Sequence, residues 1–264
     1  MWLKPVPGRL KPSITSFPNK TGMDRKKFYR KKIRPILAKW SPKSPSYVFH
    51  HIPKCGGMSL RDVLKEWFIL RTDYREGWTT NYPPKQDVSR FRSAECLSGH
   101  FELDGYHLNE RYPEVFDPAR FRIFSFIREP LELRMSYYSY LGKKGQERAD
   151  SLEAHLEEEC NYIASVLGVG QEDFKPYLDQ YYFIGLQSHF QEGLNRLAGR
   201  IGKPVIELPR KNRSQPQSSS PARVQLSDAV ISKFRQMNTL DYAIYDYCQE
   251  RYFQNGGFAR TAEV

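Results

Sequence analysis

Apolar positions along the chain change period several times, and each change marks an element. From Ser46, the run Tyr47-Val48-Phe49-His50-His51-Ile52 has the aromatic and β-branched density of a strand and is closed by Pro53. After the loop Lys54-Cys55-Gly56-Gly57, residues Leu60, Val63, Leu64, Trp67 and Phe68 fall at i, i+3, i+4, i+7 and i+8. That is the stripe of an amphipathic helix, with the Ser59 hydroxyl near its start as a cap. A polar connection over 75–90 leads to a strand at Glu95–His100. Phe121–Ile127 is nearly all apolar in its second half, as in a strand covered on both faces. It passes through Arg128-Glu129-Pro130 into a helix over Leu131–Leu141. Further helices are expected over Ser151–Leu167 and His189–Ile201, and strands over Tyr181–Leu186 and Pro204–Leu208. A Ser-rich loop at 210–222 precedes two helices near 227–237 and 239–253. The alternation predicts an α/β fold in three layers, a central, mainly parallel sheet with helices on both faces.

Residues 1–43 lack this order. They are rich in Pro and Lys, and one short helix is expected from Met23 to Trp40, broken at Pro35. Charge separates the two parts as well. The chain carries a net +11 over 264 residues. Residues 1–43 hold 13 Lys/Arg against one acid, Asp24, whereas the rest has 28 bases and 29 acids. The expected organisation is a basic, partly disordered arm over 1–43 and a nearly neutral folded domain over 44–264. The arm is either a solvated tail or a device for capturing an anionic acceptor or touching a membrane surface; nucleic acid is not an expected partner.

Composition narrows the class. A 31.0 kDa chain buries roughly 70–75% of its unfolded surface and needs no disulfide or metal staple. Four cysteines at irregular spacing fit a reducing compartment and no paired-cysteine zinc module. No run of ~18 apolar residues predicts a spanning helix, and the N-terminus lacks the apolar core of a signal peptide. The expectation is a soluble, bacterial-type cytoplasmic protein, with the Golgi lumen as the alternative if a membrane anchor lies outside this chain.

The chemistry starts at the loop after the first strand. A glycine-bearing loop between strand and helix turns successive N–H groups toward one point. The helix N-terminus adds a partial positive charge, Lys54 adds a full one, and Gly56 and Gly57 permit close approach. Together these predict an anion site, although the Lys precedes the glycines and so departs from the Walker A order. A second anion contact is expected where Arg128 leaves a buried strand and Ser136 follows on the next helix. The bland reading makes Arg128 a surface residue paired with Glu129. Of six histidines, His100 is the candidate base because it ends a strand at the same sheet edge; His107 is the reserve. His50 and His51 alternate across a strand, so at most one faces the site.

His51-Ile52-Pro53-Lys54-Cys55-Gly56-Gly57-Met58-Ser59-Leu60 resembles the 5′-phosphosulfate loop of the sulfotransferases that include the Golgi carbohydrate 2-O-sulfotransferases and their bacterial relatives. Ile127-Arg128-Glu129-Pro130, with Ser136 eight residues after the arginine, resembles that family's 3′-phosphate motif. The resemblance runs through most of 46–253. It takes in Ile184-Gly185-Leu186, the loop Lys211-Asn212-Arg213-Ser214 and Asn238-x-x-Asp241-x-x-x-Tyr245. Met58 stands where the family usually has Thr, and Gln187-Ser188 replaces the usual acid. The resemblance implies a P-loop NTPase-like fold and the donor 3′-phosphoadenosine 5′-phosphosulfate (PAPS). It implies donor binding by Lys54, Cys55, Gly56, Gly57, Met58, Ser59, Arg128, Ser136 and Arg213, and a carbohydrate acceptor, glycan or glycolipid. On this reading His100 is the base and Lys54 assists the leaving oxygen, with no metal. Two rival readings are a P-loop-type small-metabolite kinase and a non-catalytic binder of anionic glycan or nucleic acid acting through the arm.

Overall fold

The computed structural model describes residues 29–77, 79–208 and 226–259. Five strands form one sheet: β1 (Ser46–His50), β2 (Ile69–Asp73), β3 (Glu95–Gly99), β4 (Phe121–Ile127) and β5 (Phe183–Leu186). Their order is β2-β3-β1-β4-β5, and every pairing is parallel. The helices are α1 (Arg34–Ala38, after a π-turn at Tyr29–Ile33), α2 (Gly57–Trp67), α3 (Leu108–Arg111), α4 (Pro130–Lys144) and α5 (Leu152–Glu158). They continue with α6 (Tyr162–Leu167), α7 (Phe174–Asp179), α8 (Phe190–Arg200), α9 (Asp228–Met237) and α10 (Thr239–Asn255).

Strand alternation divides the core into two. Tyr47, Phe49, Cys96, Phe124 and Phe126 point to one side and meet α2 and α8 through Leu60, Leu64, Leu194 and Leu197. Val48, Leu97, Ile123, Ile127 and Ile184 point to the other and meet Ile163, Leu178 and Ile244 of α6, α7 and α10. The result is the expected three-layer α/β architecture, a parallel central sheet with helices on both faces. Burial on both faces explains why β4 and β5 are mostly apolar.

Four elements differ from the reading of the sequence. β2 was not expected; it follows α2 directly, without a turn signal, and its exposed Arg71 and Thr72 hide its apolar residues. The helix expected over Ser151–Leu167 is two, because Asn161 adopts φ 53° between them. Its side chain accepts from the Leu240 and Asp241 amides, while Asn238 accepts from its own amide. Residues 204–208 form no strand: Gln191 accepts from the Leu208 amide and donates to the Ile206 carbonyl, taking the groups a ladder would need. The C-terminal tail covers the outer edge of β5 instead, where Ile184 donates to Gly257 and Ala259 to Tyr182. Of the helix expected over Met23–Trp40, residues 23–28 lie outside those described; the rest is a π-turn that changes to α-helix just before Pro35, which sits in the first turn of α1, and the helix ends at Ala38.

Candidate active site

In a parallel sheet every strand delivers its C-terminus to the same edge. The β1 exit leads across to β2 on one side while β4 leads away on the other, so a crevice opens at β1. The chain leaves His50, turns through His51–Gly56 and enters α2 at Gly57. Lys54 (φ 65°) and Gly56 (φ 85°) both take the left-handed conformation on either side of Cys55. For lysine this is an unfavoured backbone state, of order 1–3 kcal/mol, held by its surroundings. Alternating handedness makes the concave amide arrangement that cradles anions. Gly57 has no room for a side chain, since a Cβ there would lie 1.8 Å from His51 Nε2. No side chain caps α2, whose N-cap is Gly56, so its first amides face the crevice uncapped. Ser59 therefore does not cap; the helix starts two residues before it.

Cations converge on this loop. Lys54 is half-buried, with Nζ 4.1 Å from the centroid of the Tyr140 ring. Burial first, then Arg128 and Lys143, push its ammonium below the ordinary value. Arg128 donates through Nη1 to the Lys54 carbonyl at 3.5 Å and through Nε to Glu132 at 3.4 Å. Glu129 is not its partner: that carboxylate accepts from the Glu132 amide as the α4 N-cap, and from the Tyr242 hydroxyl. Glu132, Ser136, Tyr140 and Lys143 recur at helical spacing on α4, and three of them act on Arg128 or Lys54. Ser136, the fourth, lies on that same face. Like charges held together with one exposed carboxylate beside them are the electrostatics of an anion site.

No protein-family model matches this sequence, and no curated protein matches it. Among solved structures it is similar to a sulfotransferase from Alicyclobacillus acidocaldarius, 13% identical, over 77% of this chain and 95% of that one, with a TM-score of 0.46. It is also similar to mouse sulfotransferase SULT7A1 complexed with PAP, 10% identical, over 80% of this chain and 71% of that one, with a TM-score of 0.40.

His100 stands one residue beyond β3, beside the loop. Its ring meets His51 at 4.2 Å and Tyr74 at 4.8 Å between centroids, both edge-on. His51 Nδ1 pairs with the Tyr74 hydroxyl, and that hydroxyl pairs with Ser98. The Tyr82 hydroxyl donates to the His100 carbonyl at 2.9 Å. On its Nδ1 side His100 faces Glu102 at 3.8 Å, within ion-pair range and longer than a hydrogen bond. Glu102 is also held by Arg75 at 2.7 Å. Burial raises the Glu102 carboxyl, but His100 and Arg75 together outweigh it and keep it below the usual range.

The other histidines are placed elsewhere. His107, the reserve base, is buried with both ring nitrogens engaged, one by Glu110 and one by the Ser165 carbonyl; it caps α3. His50 points to the opposite sheet face and pairs with the Tyr181 hydroxyl at 2.6 Å, its basicity pushed down to about 3 by burial. His155 is buried against Glu158. Among the described residues no cluster of His, Cys, Asp and Glu has the makings of a metal site.

Several loop and motif residues play other parts than expected. The Cys55 thiol is buried in the core and raised to about 12, so Cys55 offers the crevice only its main chain. Met58 is 70% exposed. Arg213 lies outside the described residues, as does all of Lys211–Ser214. Asn238 and Asp241 are structural: Asp241 accepts from the Ile163 and Ala164 amides and so caps α6. Arg61 lies over the Tyr74 ring, Arg71 pairs with Glu95 and Arg75 pairs with Glu102. Of the His50/His51 pair, His51 is the one beside His100, whereas Tyr140 and Glu102 were missed as neighbours of the site. Tyr140 was findable, four residues past Ser136 on one helix face, whereas the Arg75–Glu102 contact carries no local signal.

Proposed function

We propose that this chain is a sulfotransferase that moves the sulfuryl group of PAPS to a hydroxyl of a carbohydrate acceptor, glycan or glycolipid, by in-line transfer. One observation carries the reading. The Lys54–Gly56 amide nest, the uncapped α2 N-terminus, the Lys54–Arg128 pair and His100 all meet at one edge of the sheet. The donor set suits a nucleotide with two separated anionic ends: loop amides and Lys54 for one, Arg128 and Ser136 for the other. Among loop residues, Gly56, Gly57, Met58 and Ser59 contribute through their amides, and Cys55 does the same.

PAPS supplies the activated sulfuryl group. The chain supplies the rest. His100 takes the proton from the acceptor hydroxyl, through Nε2 if Nδ1 keeps its proton toward Glu102; that step is worth roughly 10²–10⁴ in rate. Lys54 and the loop amides stabilise negative charge growing on the leaving oxygen. Arg128 and Ser136 hold the far anion and fix the distance between the two reactants.

Thermal-shift measurement separates this reading from the kinase. Adenosine 3′,5′-bisphosphate (PAP) should raise the melting temperature and ATP–magnesium should not. A shift with ATP–magnesium alone would assign the loop to a kinase. Binding that survives in residues 1–43 by themselves, with steep salt dependence, would assign it to the arm.

A further inference from the structure

At the sheet edge opposite the candidate active site, the segment before β1 presents an unusual surface. Tyr29, Ile33, Ile36, Leu37 and Trp40 are all exposed; Ile33, Ile36, Leu37 and Trp40 follow one another at i, i+3, i+4 and i+7 along the outward side, and Tyr29 and Leu37 border the groove that Arg34 and Ala38 line. Five of the eight exposed large apolar residues among those described lie in these twelve positions, and Trp40 is 86% exposed. The stripe is not a loose end of chain. On the other face Arg34 donates to the Lys65 and Glu66 carbonyls at 2.7 and 3.0 Å, closing the C-terminus of α2. Ala38 is buried, and Arg92 and Ser93 donate to the Ser41 and Pro42 carbonyls. The apolar face is thus held outward by contacts that fix its back.

Charge selects what covers it. Residues 29–43 carry six bases (Arg30, Lys31, Lys32, Arg34, Lys39 and Lys43) and no acid. A second copy of the chain would bring the same unbalanced charge against itself. An anionic bilayer answers both features: aromatic and aliphatic side chains enter the acyl boundary while flanking lysines meet the headgroups. We propose that the Tyr29–Trp40 stripe docks this protein on the surface of an anionic lipid membrane, with Ile36 and Trp40 as the inserting side chains.

The test is co-sedimentation of the full chain with phosphatidylcholine vesicles, with and without phosphatidylglycerol. Binding is expected only with the anionic lipid and should weaken with salt. The pair Ile36→Ser/Trp40→Ser should cut it at least about tenfold, and Lys32→Gln or Lys39→Gln about fivefold each. Unchanged circular dichroism and melting would show that the variants fold. No binding to either vesicle would overturn the proposal, as would binding that the paired variant leaves intact. Light scattering that showed a dimer, converted to monomer by the paired variant, would overturn it in favour of self-association.

Discussion

At 3.8 Å from Glu102, the Nδ1 side of His100 faces a carboxylate that Arg75 keeps in place, and this arrangement bears on the orientation of the ring. His100→Ala should lower transfer at least a hundredfold while the melting shift with PAP persists, since no part of the proposed anion site is removed. Glu102→Gln makes a finer test: it removes the carboxylate that the Nδ1 side of His100 faces and that Arg75 holds, so turnover should fall while the melting shift with PAP persists, a split that a general loss of structure would not produce.

Among the elements, the loop entering α2 tolerates least. Gly57→Ala places a methyl against His51, which is itself wedged against His100 and Tyr74. Either the ring or the loop must move, at a cost of about 1–3 kcal/mol, and chemical denaturation together with loss of the PAP shift would report it. Asp241 gives a second test, on α10. Burial raises its carboxyl to about 6, against the lowering pull of the Ile163 and Ala164 amides and Arg134. A folded pKa above the unfolded value near 4 means that this group favours folding most below about pH 4. That contribution, of about 3 kcal/mol, is lost as pH rises through about 6. Asp241→Asn removes the titration, so its melting temperature should vary less over this window than the wild type's. Both elements show what could be read in advance. The loop and the Arg128–Ser136 spacing are local, so their geometry follows from strand, turn and helix chemistry within a few residues. Asp241 and Asn238 looked like part of a site motif, yet they cap and pin helices some 80 positions earlier in the chain, across contacts that no local period encodes. The Arg75–Glu102 pair and β2 were hidden for the same reason: they exist only once β2 has paired with β3, Asp73 opposite Gly99.

Among the described residues, the basic segment 29–43 and the proposed anion site lie at opposite edges of the sheet. Net charge alone points to residues 1–43, whereas the proposed site rests on a few cations in a nearly neutral body. Arg34→Ala should lower stability by about 1 kcal/mol by uncapping α2 and freeing the segment, yet leave the PAP shift unchanged, because separated sites act independently. The parallel sheet also sets a height. Each five-residue strand spans about 16 Å, and the apolar stripe lies at the edge where strands begin while the crevice lies where they end. A molecule standing on a bilayer by its stripe would hold its crevice up into the aqueous phase, facing away from the lipid. A sugar seated directly on a lipid headgroup would then pass beneath it, and the acceptors within reach would be dissolved glycans or chains long enough to rise past the sheet.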